Sequence, residues 1–288
     1  MSVLARLCLA AVSLPASQAA IVVVYEPGVD AYAEALEGLG AGLASNPFRV
    51  VELPGGKPQL ARILNAKDTQ LIIAVGSRAL AAVQSQKAAA PVLATMVLRG
   101  REIEGSGHVD LDVPLPLQCG AMRALWPRHT RIGIIRNPAR SRYSAEALES
   151  RARKEGFTAM VVDCDGPAGL LKAVAAMKGK VDYLLCFPDP DLYNAVTIKP
   201  LVMASLESRL PIVGFSPAFV RAGAAAGIYP DYRETGRQTA EMALRMMRGE
   251  ERAAEEGPRK IQISVNQRIA HLLGVEFHTS ALPVEVFR

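Results

Sequence analysis

The stretch IVVVYEPGVDAYAEALEGLG, residues 21–40, decides the fold class of this chain. Its first five residues, Ile21–Tyr25, are continuously apolar and rich in β-branched side chains. Such a run is typical of a strand that is buried on both faces of a parallel sheet. Apolar residues then recur at helical spacing, which predicts a helix over residues 30–44. A strand followed directly by a helix is the repeating unit of an open α/β sheet.

The same unit repeats along the chain. In the first half we predict helices at 57–66 and 77–86, and strands at 48–53, 71–75 and 91–97. A stretch with several Gly and Pro residues, 98–116, follows, and the pattern then restarts. In the second half we predict strands at 131–135, 158–163, 181–187 and 211–215, and helices at 117–126, 143–155, 168–178 and 192–209. The fold class is therefore α/β, with two doubly wound parallel sheets and right-handed crossovers.

Composition narrows the class of protein. Of the 288 residues, 50% are hydrophobic and 21% are charged, which excludes a disordered, collagenous or coiled-coil chain. This length suits one large or two ordinary domains. The net charge of +5 is spread along the chain without a block of like charges, so no nucleic-acid partner is expected.

The first nineteen residues have the layout of a signal peptide. Arg6 is the only charge before Glu26, Leu7–Leu14 is apolar, and small residues stand at Ser17 and Ala19. We expect cleavage after Ala19 and export to the periplasm or another extracytoplasmic compartment. The alternative is a buried first helix or strand of a cytosolic protein. Cys8 precedes any completed apolar region, so a lipid anchor is not expected.

Three cysteines remain after the predicted signal peptide: Cys119, Cys164 and Cys186. Their number is odd, so at least one stays unpaired in an oxidising compartment. In a doubly wound sheet of order 2-1-3, strand 131–135 separates the strand that ends near Cys164 from the strand that holds Cys186. A bridge between these two cysteines is therefore not expected.

Ligands of open α/β sheets bind beyond the carboxyl ends of the strands. The predicted strand ends and the loops after them supply these candidate ligand-binding residues: Glu26, Pro27, Gly76, Ser77, Asn137, Asp189, Phe215 and Ser216.

Two of these loops have a defined chemistry. Gly76 and Ser77 open a helix, where free N–H groups and a hydroxyl suit a carboxylate or another anion; the alternative is that Ser77 is only the helix N-cap. Asp189 stands between two prolines, where its carboxylate would receive an ammonium or hydroxyl; the alternative is a turn residue. Asp191 is interpreted as the cap of the next helix.

The basic residues Arg136, Arg140 and Arg142 follow strand 131–135. They form either an anion site or a solvated face, and the solvated face is the more common outcome for such a group.

The sequence supports no catalytic site. Phosphate-loop and zincin motifs are absent, and the glycines at 38, 40 and 42 lie inside a predicted helix rather than at a strand-to-helix turn. Residues 214–218 lack the second glycine of a nucleophile elbow. The four histidines have no metal-ligand spacing. We therefore expect no enzyme, no metal and no cofactor, with a Rossmann-like enzyme as the alternative of a different class.

From Val181 onward the chain resembles the extracytoplasmic substrate-binding proteins of ABC transporters, in the group related to aromatic-amino-acid importers. The segments that carry the resemblance are VDYLLCFPDPDLYNAV, LESRLPIVGFSPAFVRAGAAAGIYPDYRETGRQTAEMALRMMRGE and ISVNQRIAHLLGV. The matching positions are Asp231, Tyr232, Gly236, Arg237, Gln238, Gly249, Asn266, Ala270, Leu273 and Gly274. The first half is similar in layout, notably in IIAVGSRAL.

The resemblance implies a type I periplasmic-binding-protein fold, in which two lobes joined by three chain crossings close on a ligand. Lobe 1 would comprise 20–115 and about 230–250, and lobe 2 would comprise 116–229 and about 258–276, with 277–288 as a tail. Tyr232 and Gly236 would lie at the hinge or the cleft edge. The implied function is capture of a small polar ligand, an amino acid or similar, by a monomer that delivers it to an ABC-type permease. The alternative partner is a membrane receptor served by a ligand-sensing module.

Residue by residue, Asp189 matches the ligand-facing Asp of the family, and Ser77 takes the place of its small hydroxyl residue. Two departures concern the ligand. Pro190 replaces the usual Asn, and this chain has Arg140, Arg142 and Tyr143 where the family often has Glu, Asn and Ser. Tyr143 joins the candidate ligand-binding residues on this ground.

Overall fold

A computed structural model describes residues 20–44, 46–53, 57–98, 107–250, 255–279 and 283–287. The predicted signal peptide lies outside the described residues. The chain divides into two units. Unit 1 ends at Leu111 and resumes over Pro230–Lys260, whereas unit 2 covers Asp112–Tyr229 and resumes at Ile261. The chain therefore passes between the units at three places.

The described residues contain thirteen strands and ten helices. The strands are β1 (Ile21–Tyr25), β2 (Phe48–Glu52), β3 (Leu71–Val75), β4 (Val92–Val97), β5 (Gly107–Asp110), β6 (Arg131–Arg136), β7 (Thr158–Asp163), β8 (Tyr183–Leu185), β9 (Ile212–Gly214), β10 (Ala226–Pro230), β11 (Glu255–Glu256), β12 (Ile261–Asn266) and β13 (Val284–Phe287). The helices are α1 (Asp30–Gly42), α2 (Lys57–Leu64), α3 (Ser77–Ser85), α4 (Leu115–Leu125), α5 (Ala145–Lys154), α6 (Pro167–Met177), α7 (Ile198–Ser208), α8 (Pro217–Arg221), α9 (Tyr232–Met247) and α10 (Gln267–Leu273).

Unit 1 is built on a six-stranded sheet of order β11-β5-β4-β3-β1-β2. Strands β1 and β3 pair in parallel and are buried throughout. Because side chains alternate between the faces of a strand, Val23 packs with α1 and α9, whereas Val22 packs with α2 and α3. The continuous apolar run 21–25 thus serves two cores, and the doubly wound prediction is confirmed for this unit.

Unit 2 has a seven-stranded sheet of order β13-β12-β10-β9-β8-β6-β7. Its two faces are covered by separate cores, one with residues of α4 and α5 and the other with residues of α6 and α7. Strand β6 pairs with both β7 and β8, so Cys164 and Cys186 follow strands that are not neighbours, as predicted. Cys119, Cys164 and Cys186 are all buried and free.

Several short elements differ from the sequence predictions. Strand β5 lies in the stretch 98–116, which was expected to be a connection. The predicted tail, 277–288, contains β13, which pairs in parallel with β12. The helix expected over 192–209 begins only at Ile198. Hydrogen bonds from Asn194 and Thr197 fold residues 192–197 into turns instead.

Helices α1 and α9 approach each other closely through glycines. A Cβ on Gly38 would lie 1.9 Å from the carbonyl oxygen of Arg233, and one on Gly236 would lie 1.9 Å from that of Ala35. Gly236, expected at the hinge or cleft edge, thus has a packing role within unit 1. The three glycines between 38 and 42 lie inside α1, as predicted.

The glycines of α1 allow a matched test of this packing. We expect Gly38→Ala to lower the free energy of unfolding by about 1–3 kcal/mol, because a side chain at this backbone contact overpacks the crossing. Gly40→Ala, two residues away, meets only the Phe48 ring at 3.7 Å. It should raise stability by up to about 1 kcal/mol, the helix-propensity gain of Ala over Gly. Urea unfolding measures both, and equal effects of the two variants would contradict the close crossing.

Candidate functional site

In unit 1 the candidate residues gather at the carboxyl ends of the neighbouring strands β1 and β3. Glu26 directly follows β1, and its Oε1 pairs with Nη1 of Arg78, which lies in the first turn of α3. Pro27, in the same turn as Glu26, is exposed. The ion pair therefore ties the loop after β1 to the loop after β3.

Gly76 forms the turn from β3 into α3. It has a φ of +91°, a conformation that favours glycine. Its N–H donates to the carbonyl oxygen of Thr95 at 2.8 Å, and its own carbonyl accepts from the N–H of Leu80 at 3.0 Å. Gly76 itself is the N-cap, so the interpretation of Ser77 as the cap is wrong. Ser77 is the first helical residue and is exposed.

Tyr32, which lies within the predicted helix 30–44, also belongs to this loop cluster. Its ring packs over Gly76, where an added Cβ would lie 2.5 Å from the Tyr32 hydroxyl oxygen. Burial, together with the negative charge of Glu26, raises the pKa of Tyr32 above its ordinary value. An aromatic residue in the first turn of the helix after β1 was the available signal.

Two glycines with nearly the same positive φ test this contact. Gly28 has a φ of +89° and nothing within 4 Å of an added Cβ. Gly28→Ala should therefore cost only the backbone strain of about 1–2 kcal/mol. Gly76→Ala should cost about 1–3 kcal/mol more, because the methyl group also displaces the Tyr32 ring. Urea unfolding midpoints give both values, and the same loss for both variants would contradict the packing of Tyr32 on Gly76.

In unit 2, Asn137 organises the loop after β6. It is buried, and its side-chain Oδ1 accepts a hydrogen bond from the N–H of Ala139 at 3.0 Å. Its carbonyl oxygen accepts from the N–H groups of Arg140 and Ser141, at 3.1 and 2.9 Å. Asn137 thus holds the turn that brings the following residues to the end of the sheet.

Asp189 holds the loop after β8. Its Oδ1 accepts hydrogen bonds from the N–H groups of Asp191, at 2.8 Å, and Leu192, at 3.1 Å. Within the described part of the chain, no hydrogen bond reaches its Oδ2. The turn interpretation of Asp189 is therefore correct for one oxygen, and the second oxygen remains available for the predicted ligand contact.

Phe215 and Ser216 lie beside this loop, after β9. The half-buried Phe215 ring lies 5.8 Å from the Tyr193 ring and 5.3 Å from the Phe219 ring, measured between centroids. The Ser216 hydroxyl oxygen accepts a hydrogen bond from the N–H of Phe219 at 3.2 Å, so Ser216 caps α8. This part of the loop region combines an aromatic surface with the Asp189 carboxylate.

The three basic residues at the end of β6 and in the loop after it, Arg136, Arg140 and Arg142, all have partners within unit 2. Arg136 makes two hydrogen bonds to Asp163, at 2.7 and 2.6 Å. These bonds hold the pKa of the Asp163 carboxyl below its ordinary value. Arg140 pairs with Asp191. The interpretation of Asp191 as a helix cap is wrong, because α7 begins at Ile198 and its N-cap is Thr197.

Tyr143 lies between guanidinium groups. The central carbon of Arg142 is 4.7 Å from the centroid of the Tyr143 ring, and that of Arg151 is 4.1 Å from it. The Tyr143 carbonyl also accepts a hydrogen bond from Arg136 at 3.0 Å. The basic cluster is thus bound to acidic and aromatic groups of its own unit, and an anionic ligand would have to compete with them.

Tyr232 is the first residue of α9 and packs against the core between α1 and α9. It follows Asp231, whose carboxylate accepts from the N–H of Glu234 and pairs with Lys260 Nζ at 2.9 Å. The Asp231 N–H also donates to the Lys260 carbonyl at 2.9 Å. Two of the three chain segments that lead out of unit 1 are therefore joined next to Tyr232.

A family model described as ABC transporter substrate binding protein matches residues 54–284 of the chain. The chain belongs to this family. The predicted resemblance is thus confirmed, and it extends into the first half, where the sequence match was weaker. The family is one of substrate-binding proteins.

Individual relatives agree with this assignment. A tyrosine-binding protein from Clostridioides difficile (strain R20291) is 24% identical over 153 residues, which is 52% of this chain but only 43% of that protein. An open, ligand-free substrate binding protein with adhesive properties from Clostridium difficile has a TM-score of 0.71 at 19% identity, covering 93% of this chain and 98% of that chain. A Streptococcus pneumonia ABC domain in complex with L-Trp has a TM-score of 0.59 at 19% identity, covering 93% and 100%.

These likenesses show the fold, and this substrate-binding protein has the predicted type I periplasmic-binding-protein fold. Among the residues that the structure describes, no helix combines the length and the apolar character needed to cross a membrane.

Proposed function

We propose that this chain is an extracytoplasmic substrate-binding protein that captures an amino-acid-like ligand and delivers it to an ABC-type permease. The observation that carries the proposal is the family match over residues 54–284. The same match favours a transporter over a sensory receptor as the partner. Export by the signal peptide 1–19 and a monomeric state belong to the proposal.

Unit 1 offers a site for a carboxylate. The first N–H groups of a helix have no partner within the helix and attract negative charge. In α3 these groups follow Gly76, whose position leaves the helix end without a capping side chain. The exposed Ser77 hydroxyl adds a donor. We propose that the ligand carboxylate binds the first turn of α3.

Unit 2 offers a site for an ammonium group. Two backbone N–H groups fix Asp189 Oδ1 and so orient the whole carboxylate. Oδ2 is then the natural acceptor for a charged donor, and such charge-assisted hydrogen bonds are the strong ones. The nearby Phe215 ring suits an apolar or aromatic ligand side chain.

Two relatives suggest which amino acids to test first. One is named a tyrosine-binding protein, and another was solved with L-Trp. We propose L-tyrosine and L-tryptophan as the first ligands to test. We also propose that Asn137, Tyr143 and Ser216, in the loops after β6 and β9, contribute to the binding site. We propose that ligand binding shifts the population toward a closed form, the movement that the family resemblance implies.

Substitution of Asp189 separates its two roles. Asp189→Asn keeps an oxygen that accepts from Asp191 and Leu192 but removes the charge. We expect the unfolding midpoint to stay within error and L-tyrosine binding to weaken by about 1.5–3 kcal/mol, the value of a hydrogen bond to a charged group. Asp189→Ala should weaken binding similarly and also lower the unfolding midpoint. Isothermal titration calorimetry and urea unfolding measure the two effects.

Two controls make this test specific. Asp165→Asn, an exposed carboxylate after β7 in the same unit, should bind L-tyrosine like the unsubstituted protein. 3-(4-Hydroxyphenyl)propionate, which lacks the ammonium group, should bind both the unsubstituted protein and Asp189→Asn weakly and equally. If Asp189→Asn binds L-tyrosine with unchanged affinity, Asp189 is not part of the binding site. If neither amino acid binds, native mass spectrometry of the purified protein would identify a retained ligand of another class.

A further inference from the structure

Thr95 is a buried polar side chain in an otherwise apolar part of the unit 1 sheet. Strands β1, β3 and β4 carry apolar side chains apart from Tyr25 and Thr95. Tyr25 donates a hydrogen bond to Glu52 of the edge strand β2 at 2.6 Å. Thr95 instead lies on β4, between β3 and β5, and is only 1% exposed. A buried hydroxyl is costly without a hydrogen bond, so its partner indicates its role.

The partner of Thr95 is a second buried threonine, Thr239 of α9. The two Oγ1 atoms are 2.8 Å apart. Thr239 Oγ1 also lies 2.7 Å from the carbonyl oxygen of Thr235 in the same helix. A hydroxyl has one hydrogen to donate, and a carbonyl oxygen can only accept. Thr239 therefore donates to the Thr235 carbonyl and accepts the hydrogen bond of Thr95.

A bulge follows Thr95 directly. Strand β4 pairs with β5 through Thr95 and Val97, and the register shifts at Met96 between them. Met96 has a φ of +56°, a conformation that costs free energy for a residue with a side chain. Regular alternation would place Met96 on the face opposite Thr95, yet it packs in the core with α1 and α9. The threonine pair therefore anchors β4 to α9 at the point where its regular pairing with β5 ends.

The main chain of Thr95 holds the turn at the proposed carboxylate site. Its carbonyl oxygen accepts a hydrogen bond from the N–H of Gly76 at 2.8 Å. This bond lies at the end of the β3–β4 pairing, in which Val75 is opposite Thr95. Gly76 is the N-cap of α3, whose first turn begins at the next residue. The position of that turn therefore depends on where the end of β4 lies.

We propose that Thr95 and Thr239 are positioning residues for the ligand site. Their hydroxyl pair holds the end of β4 against α9, and the Thr95 carbonyl in turn holds Gly76 and the first N–H groups of α3. This inference rests on the proposed function, and it names the groups that set the geometry of the carboxylate site. Neither threonine contacts the ligand in this proposal.

Hydrogen exchange in the ligand-free protein tests the positioning directly. Thr239→Val keeps the shape of the side chain but removes the acceptor of the Thr95 hydroxyl. We expect the Gly76 amide to exchange about two- to tenfold faster in this variant, the fold-change that corresponds to one hydrogen bond. Thr239→Ser, which restores a hydroxyl, should return the rate toward that of the unsubstituted protein. NMR measures exchange at this single amide.

Thr235→Val is the matched control on the same helix. Thr235 is also buried, and its hydroxyl donates to the Asp231 carbonyl at 3.0 Å. The substitution keeps the backbone carbonyl that accepts from Thr239. It should lower the urea unfolding midpoint much as Thr239→Val does, because each variant loses a buried hydrogen bond. It should leave the exchange of the Gly76 amide unchanged, which separates positioning from overall stability.

Ligand preference gives a second readout that a merely structural role would not move. Tyramine is L-tyrosine without its carboxylate, so the unsubstituted protein should bind L-tyrosine more tightly than tyramine. Thr239→Val should reduce this preference about two- to tenfold, whereas Thr235→Val should keep it. Isothermal titration calorimetry measures both affinities.

Thr95→Val guards against failure of Thr239→Val to fold, because it removes the donor and leaves Thr239 bonded to the Thr235 carbonyl. It should have the same effects on exchange and preference. Unchanged Gly76 exchange in both variants, exchange raised equally by Thr235→Val, or an unchanged preference for L-tyrosine would overturn the proposal. If the unsubstituted protein binds neither compound, the proposed function fails for this ligand, and the exchange of Gly76 alone decides the present inference.

Discussion

The burial of β1 and β3 on both faces is the constraint on which the arrangement of unit 1 depends. Strands in such a position accept almost no polar side chains, because each unsatisfied polar group would cost free energy in the core. Polar chemistry is therefore displaced to the residues just beyond the strands. Because the strands are parallel, those residues meet at one edge of the sheet, where Glu26 and Arg78 form an ion pair. In unit 2, the polar residues Asn137 and Asp189 likewise lie beyond the ends of strands, after β6 and β8.

The residues at these strand ends also hold their own loops. Asn137, Asp189 and Ser216 each use one side-chain oxygen to accept a backbone N–H group. Such hydrogen bonds fix the side chain but do not use all of its acceptor atoms. In Asp189 they use Oδ1, so Oδ2 can still accept a hydrogen bond from a ligand. A rigid acceptor loses little conformational entropy when a ligand arrives, and this preorganisation favours affinity. Turn formation and ligand binding are thus compatible roles for one carboxylate.

Strands with continuous apolar runs were predictable to within a residue. The predicted strand 131–135 corresponds to β6, which also includes Arg136. Such a strand can be predicted because strands buried in a parallel sheet are nearly continuous in apolar residues. The two short strands at one side of the unit 1 sheet were not predicted: β5 has the sequence GHVD and β11 has EE, and neither differs from a polar loop. The late start of α7 was missed because Asn194 and Thr197 hydrogen-bond locally and compete with the helix.

The sequence predicted where the candidate site residues lie, but it did not predict which side chains they contact. Strand ends located Glu26, Gly76, Asn137 and Asp189, since topology alone places them. No sequence pattern showed that Arg136 and Arg140 would be paired with Asp163 and Asp191, because these acids lie far from the arginines in the sequence. Nor did it show that Tyr32 would cover Gly76. Such contacts depend on side-chain directions across neighbouring strands, which a single sequence does not display.

We propose that the first turn of α3 binds the carboxylate of an amino-acid ligand and that Asp189 binds its ammonium group. A crystal structure of the protein grown with L-tyrosine would show where each group lies. We expect the ligand carboxylate within hydrogen-bond distance of the first N–H groups of α3 and the ammonium within that distance of Asp189 Oδ2. A ligand with its carboxylate away from α3, or with its ammonium away from Asp189, would show that this assignment is wrong.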